Sequence, residues 1–234
     1  MPLSKRVLVP ELMDAPDLEP RAHRDALRGL RRLNLLAASA RLVWPAIAAF
    51  ARREPAPLRV VDVACGAGDT AIALARRARS HRLPIRVTGV DVSATALAHA
   101  RDAAARAREV VHFVRGDVLA APHVPLAADV FTCSLFLHHT TREQAIALLR
   151  SLAGAARVGI VVVDLLRTRL GLVLASAAAQ LVTRSPIVHF DASASVRAAF
   201  TADEIAPLAA TAGLADARID RVWPERFRLV WSRR

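Results

Sequence analysis

The sequence predicts an α/β fold: a mostly parallel sheet with helices on both faces, preceded by an N-terminal helical cap. Three observations carry that expectation. From Arg59 onward, short β-rich runs alternate with helical runs. Val158 to Val163 is nearly pure Val and Ile, as a strand covered on both faces requires. Apolar residues fill 54% of 234 positions and charged residues 23%, enough for one sizeable core and too apolar for a disordered chain.

Residues 17 to 53 read as helices. Asp17 is a candidate cap, Pro20 suits a first turn, and Leu27, Leu30, Leu33 and Leu36 keep helical spacing. Pro45 should kink or divide the second helix, because it has no N–H to donate. Glu54-Pro55-Ala56-Pro57 breaks the pattern and separates a cap of residues 1–55 from a main domain of residues 56–234. In that domain strands are expected at Arg59–Val63, Ile85–Val90, Val110–Val114, Asp129–Ser134 and Val158–Val163. Helices are expected at Asp69–Arg79, at Ser93–Arg108 and from Thr140 to about Leu152. The last opens with Thr140-Thr141-Arg142-Glu143, which has the spacing of a reciprocal side-chain cap. Thr201 and Glu204 repeat that spacing, with Gly213 as a C-terminal cap. Ile219–Val222 and Phe227–Trp231 supply two late strands, and an apolar helical insertion occupies about residues 165–200.

The strongest local pattern is VVDVACGAGDT, from Val60 to Thr70. A strand runs into a turn with Gly66 and Gly68, where the backbone can approach a ligand and a helix N-terminus adds partial positive charge. The next strand ends in Gly89-Val90-Asp91, 23 positions after Gly68, with a carboxylate placed to accept both hydroxyls of a ribose. These two features also fit a dinucleotide such as NAD. Asp62 and Asp117 separate the readings. Asp62 lies inside the first strand, where it can answer an ammonium group, and Asp117 follows the third strand, where it can accept from an adenine amino group. Together the three acids suit an amino-acid-bearing adenosine without a pyrophosphate.

The motifs VVDVACGAGDTA, VTGVDVSATAL, VRGDV and DVFTCSLFLHH, in that order, resemble the class I S-adenosylmethionine-dependent methyltransferases. The chain is most similar to the ubiquinone/menaquinone-biosynthesis type of methyltransferase domain, over about residues 57–165. The resemblance implies a Rossmann-like sheet of seven strands whose last strand is antiparallel, and S-adenosyl-L-methionine as cofactor. By it, Gly66 and Gly68 would border the methionine part, Asp91 with Val92 the ribose, and Asp117 with Val118 the adenine. Ser134, at the end of the fourth strand, completes the cofactor set.

Methyl transfer from a sulfonium is an in-line displacement, so the protein chiefly aligns the acceptor and excludes water. A phenol, with a pKa of about 10, gains from a base that titrates near neutrality. The histidines are the available bases. His138 and His139 follow the fourth strand, at the edge where doubly wound sheets place ligands. His189 lies in the insertion, in Ile187-Val188-His189-Phe190-Asp191, and Asp191 could orient it or cap the next turn. The other five histidines, His123 among them, read as surface or structural. Phe136 and Phe190 could pack on an aromatic ring. Cys65 and Cys133 make neither a disulfide framework nor a zinc site, no metal is expected, and both read as small buried residues rather than nucleophiles. The apolar run to Val182 reads as a core helix, a lid over a greasy acceptor, or a helix touching a membrane surface. The same segment, through Thr201, resembles small bacterial methyltransferases of polyketide or lipid-phenol pathways, which implies a role in secondary metabolism.

The leading expectation is therefore O-methylation of a small lipophilic phenol or quinol. C-methylation of a quinone-like ring, nucleic-acid methylation, NAD-dependent hydride transfer and non-catalytic cofactor binding are the alternatives. The net charge of +12 comes almost wholly from arginine, since Lys5 is the only lysine, and scattered arginines suit solvated helix faces. No RNA-binding module accompanies them, so no specific nucleic acid is expected as a partner. The longest uncharged stretch, Leu170–Thr183, is short of the roughly 20 apolar residues of a membrane span. The N-terminus lacks the apolar core of a secretory signal, and a cytoplasmic protein with peripheral membrane contact is expected.

Overall fold

A computed structural model of the chain describes residues 3–14, 18–37, 39–120 and 128–233; the expected cap Asp17 and the peripheral His123 lie outside them. Among the described residues seven strands are present: β1 (Leu58–Val63), β2 (Ile85–Asp91), β3 (Val111–Arg115), β4 (Ala128–Ser134), β5 (Ala156–Leu165), β6 (Arg218–Val222) and β7 (Arg226–Ser232). They form one sheet in the order β3-β2-β1-β4-β5-β7-β6. The first five pair in parallel, and β7 runs antiparallel to both β5 and β6. The order reverses between β1 and β4, so the loops after these two strands diverge and leave a cleft at their C-terminal ends.

The helices are α1 (Pro20–Ala37), α2 (Ser39–Arg53), α3 (Asp69–Ser80), α4 (Ala94–Ala107), α5 (Arg142–Ala155), α6 (Arg169–Val182), α7 (Pro186–Ala198) and α8 (Ala202–Thr211). Successive strand residues feed opposite cores. Val161 and Val163 pack with α2, α3 and α4, while Ile160 and Val162 pack with α5 and α8. That two-sided burial is the reason for the unbroken Val/Ile run. A third, smaller layer of α1, α6 and α7 meets around Ala26, Ala179, Val188 and Ala192.

Val43, Ile47 and Phe50 of α2 share a core with Leu58, Val60 and Leu74. Two sequence expectations change. Pro45 does not divide α2, which is continuous from Ser39 to Arg53. It stands on the exposed face, where the Arg41 carbonyl that loses its partner can turn to water. The cap of α5 is Thr141 with Gln144, not Thr140 with Glu143. The Thr140 hydroxyl is buried and donates to the Leu137 carbonyl instead. Thr201 and Glu204 do form the reciprocal cap of α8.

Candidate active site

The turn from β1 into α3 reverses the chain within five residues. Ala64, Gly66 and Gly68 all take positive φ, at 52°, 52° and 79°. A Cβ at Gly66 would meet no atom within 4 Å, so its outer side is open space that a ligand can occupy. A Cβ at Gly68 would strike the Phe113 ring at 2.9 Å. The Gly66 N–H donates to one Asp91 oxygen at 2.8 Å, and the Ser93 N–H donates to the other at 2.9 Å. Asp91 thus ties the turn to the cap of α4.

Asp62 is 1% exposed, and its Oδ2 has no hydrogen-bond partner. Burial first, and the charge of Asp91 second, push its pKa up to about 8, against a backbone hydrogen bond from Ala71 that lowers it. A buried carboxylate oxygen in want of a donor beside an open glycine cradle fits the ammonium end of the cofactor that the resemblance implies. The buried hydroxyl oxygens of Thr132 and Ser134, on β4 beside the turn, also lack partners. Cys65 packs beneath this turn because Gly89 has no Cβ to collide with its sulfur. Burial, then Asp62 and Asp91, push the Cys65 thiol pKa up, and burial does the same for Cys133, so neither is a ready thiolate. Farther along the cleft Asp117 is exposed, and its carboxylate accepts from the Leu119 and Ala120 N–H groups at 2.8 and 3.2 Å. Val118 is buried behind it, while Val92 stands exposed beside Asp91.

Next to this turn, β4 leads through Leu135 (φ 57°) into a 3-10 turn, Leu137–His139. His138 is buried there and meets Asp164, which is equally buried near the end of β5. The His138 N–H donates to Asp164 Oδ2 at 3.1 Å, and Nδ1–H donates to Oδ1 at 2.6 Å. Parallel pairing of Ser134 with Val163 brings these two strand ends together. Burial works against charge on both partners, but their mutual attraction prevails: the His138 pKa is raised and the Asp164 pKa lowered. His139 stacks on His138 with ring centroids 4.2 Å apart, and burial and the neighbouring His138 hold its pKa below the ordinary imidazole value.

The N-terminal segment closes over this turn. Arg6 Nη2 donates to the Leu137 and His138 carbonyls at 3.3 and 3.1 Å, and its guanidinium lies 3.8 Å from the centre of the Phe200 ring. Glu11 Oε1 lies 3.8 Å from His139 Nε2 and accepts from the Ser195 hydroxyl. Glu11, His138 and His139 bring potential metal-ligand atoms within 4.8 Å of one another, a grouping the sequence did not suggest.

His189 and Asp191 belong to the outer layer. His189 Nε2 lies 2.9 Å from the Thr183 carbonyl oxygen, closing the turn between α6 and α7. Asp191 reaches beyond its own helix. Its carboxylate accepts from the Leu12 and Met13 N–H groups at 2.8 and 3.2 Å and caps a turn 179 positions away. Two positions apart on a helix, it and His189 diverge. The structure thus gathers Asp62, Gly66, Gly68, Asp91 and Ser134 at one turn and His138 with His139 beside it.

Sequence reasoning missed Asp164, Arg6 and Glu11. Asp164 carried a readable signal, since like Asp62 and Asp91 it is an acid at the C-terminal end of a parallel strand. Arg6 and Glu11 precede any periodic pattern, and nothing local announces where they fold.

Residues 60–159 match the family model described as a methyltransferase domain. No curated protein matches the chain. Three solved structures illustrate what the fold is similar to. The pyocyanin biosynthetic protein PhzM is 23% identical, over 76% of this chain and 51% of that one, with a TM-score of 0.56. The S-adenosylmethionine-dependent methyltransferase SibL, in its apo form, is 25% identical over 85% of this chain and 56% of that one, with a TM-score of 0.60. The magnesium protoporphyrin IX methyltransferase ChlM from Synechocystis PCC 6803, with bound SAH, is 20% identical over 95% and 91%, with a TM-score of 0.57. This chain spans about half the length of the PhzM and SibL chains.

Proposed function

We propose that the chain is a class I S-adenosylmethionine-dependent methyltransferase that O-methylates a small lipophilic phenol or quinol. The observation that carries this reading is the buried His138–Asp164 pair one turn away from the glycine cradle. PhzM belongs to pyocyanin biosynthesis and ChlM methylates a magnesium porphyrin, which supports a small-molecule acceptor. The proposed setting is the cytoplasm and secondary metabolism.

When bound, S-adenosylmethionine supplies an electrophilic methyl group on a sulfonium. Asp62 would answer its ammonium, Gly66 and Gly68 would admit the methionine part, and Asp91 with Val92 would hold the ribose. Asp117 with Val118 would meet the adenine, with Ser134 facing the reacting end. Asp164 keeps the Nδ1 proton of His138, which fixes the tautomer and leaves Nε2 as the basic nitrogen. His138 Nε2 takes the acceptor's hydroxyl proton, and the phenolate oxygen it leaves is the nucleophile. His139 and Phe136 pack beside it as ring-shaped walls. Asp191 acts at one remove, by seating the segment that covers the site, and His189 closes the turn between α6 and α7.

Incubation with labelled S-adenosylmethionine and a panel of phenols, quinols, fatty acids and RNA tests the reading. Label on a phenolic oxygen is the expected product; label on ring carbon or on RNA refutes it. Asp164→Asn should lower turnover about 10²–10⁴-fold, less at high pH, where the acceptor ionises unaided. A pH profile unchanged from wild type would remove His138 as the base. Calorimetry should show binding of S-adenosylhomocysteine and none of NAD. Generic nucleic acid should be released by physiological salt.

A further inference from the structure

We infer that the outer face built on α6, flanked by α1 and α7, docks onto the surface of an anionic lipid bilayer. Of the 14 residues of α6, only Gly171 and Ala179 are buried. Leu170, Val173 and Leu181 are 47%, 63% and 86% exposed. Their spacing of three and then eight positions puts them on one side of the helix, with exposed Ala177 between them. They do not stand alone. Among the described residues, eight of the twelve large apolar side chains that are exposed belong to α6, to α7, or to the N-terminal segment, which hydrogen-bonds α7 through Val7 and Leu12. Monomeric proteins seldom gather exposed aliphatic side chains on adjoining elements without a use for them.

Charge selects the occupant. Residues 20–37 and 169–198 contain eight arginines against two acids, Asp25 and Asp191, and so carry half of the chain's net charge of +12. Asp191 is buried and engaged with Leu12 and Met13, and Asp25 pairs with Arg28. α6 itself has no acid. Arg169 opens it and Arg184 follows it, both exposed. Arg32 of α1, also exposed, donates to the Val182 carbonyl at its end. An aliphatic stripe bracketed by guanidinium groups is the pattern of a helix lying in the plane of a membrane interface, its leucines among the acyl chains and its arginines on the phosphates. No helix among the described residues is long and apolar enough to cross the bilayer. The contact is therefore peripheral and reversible. α6 begins five residues after Asp164, so its first turn follows directly from the proposed catalytic edge. Docking itself depends on neither the cofactor nor the proposed acceptor.

Co-sedimentation of the purified full chain with vesicles tests this without any turnover. The wild type should pellet with an equal mixture of phosphatidylglycerol and phosphatidylcholine, and pellet far less with phosphatidylcholine alone. The decisive variant keeps every charge: Leu170→Ser with Leu181→Ser should weaken partitioning about tenfold or more, while thermal melting stays at the wild-type value. Arg169→Gln with Arg184→Gln should weaken it as well and flatten its salt dependence. Equal pelleting of the wild type and the serine variant would mean charge alone is at work and would overturn the inference. So would the absence of pelleting at low salt. A concentration-dependent dimer that the serine substitutions abolish would assign the face to a second copy of the chain instead.

Discussion

The proposed cofactor turn and the proposed acceptor-side layer are built by opposite means. At the turn from β1 to α3 the ligand site is backbone: three positive φ angles, an open cradle at Gly66, and carboxylates delivered by strand ends. Around it Val60, Val87, Leu97 and Phe113 belong to a continuous core. The acceptor side is side chains. Segment 3–14, α1, α6 and α7 share a small, mostly alanine cluster, and Arg6, Glu11 and Asp191 tie that segment to α7 and to the turn after β4. The first arrangement follows from the sheet and resists change. The second is a set of polar clasps on that sheet, and it can be altered without refolding the molecule.

The largest effect should come where the two regions meet. His138→Ala strands the buried carboxylate of Asp164 and should destabilise the fold by about 3–5 kcal/mol in urea unfolding. Adding Asp164→Asn should recover part of that loss. A cost no greater than that of an exposed histidine would mean that the pair belongs to the pliable layer. Next, two aspartates can be set against each other. Asp91→Ala should cost roughly 1.5–3 kcal/mol in S-adenosylhomocysteine affinity by calorimetry. Asp191→Ala should leave that affinity intact and instead speed proteolysis of the N-terminal segment. Equal affinity losses would erase the distinction between the regions.

Asp62 gives a pH test. Its carboxyl holds a proton more tightly folded than unfolded. Its favourable contribution is therefore complete below the ordinary value of 3.8 and is lost as pH rises to about 8. Stability of the free protein should fall across that window, and Asp62→Asn should flatten the dependence. Binding of an ammonium-bearing ligand below pH 8 should release a proton, measurable in buffers of differing ionisation enthalpy. The smallest effect concerns Ala64, which takes a left-handed φ at the turn without being glycine. Ala64→Gly should raise stability by up to about 1 kcal/mol, the relieved strain being partly offset by glycine's greater unfolded-state freedom.

The same contrast explains what could be read in advance. β1 and β5 were legible because two-sided burial writes Val and Ile into them, and Gly66, Gly68 and Asp91 because the turn demands those residues in that order. Asp164 was legible by the same physics, since it stands one residue before the end of its strand as Asp62 does. Arg6, Glu11 and the use of Asp191 were not legible, because their partners lie 130 to 190 positions away and leave no local period. The shift of the α5 cap by one residue turned on a single buried hydroxyl, at Thr140.

The antiparallel β7 has a consequence for the nascent chain. Its residues pair with β5 from Gly159↔Ser232 to Leu165↔Arg226, and β6 reaches the sheet only through it. Until those last residues are made, the most aliphatic strand of the protein is an unprotected edge, flat in composition and free of charge from Val158 to Val163. Synthesis from the N-terminus therefore exposes this template for longest. The closing strand, rich in Arg226, Arg228 and Arg233 with the residue that follows it, caps the edge with charge as it arrives.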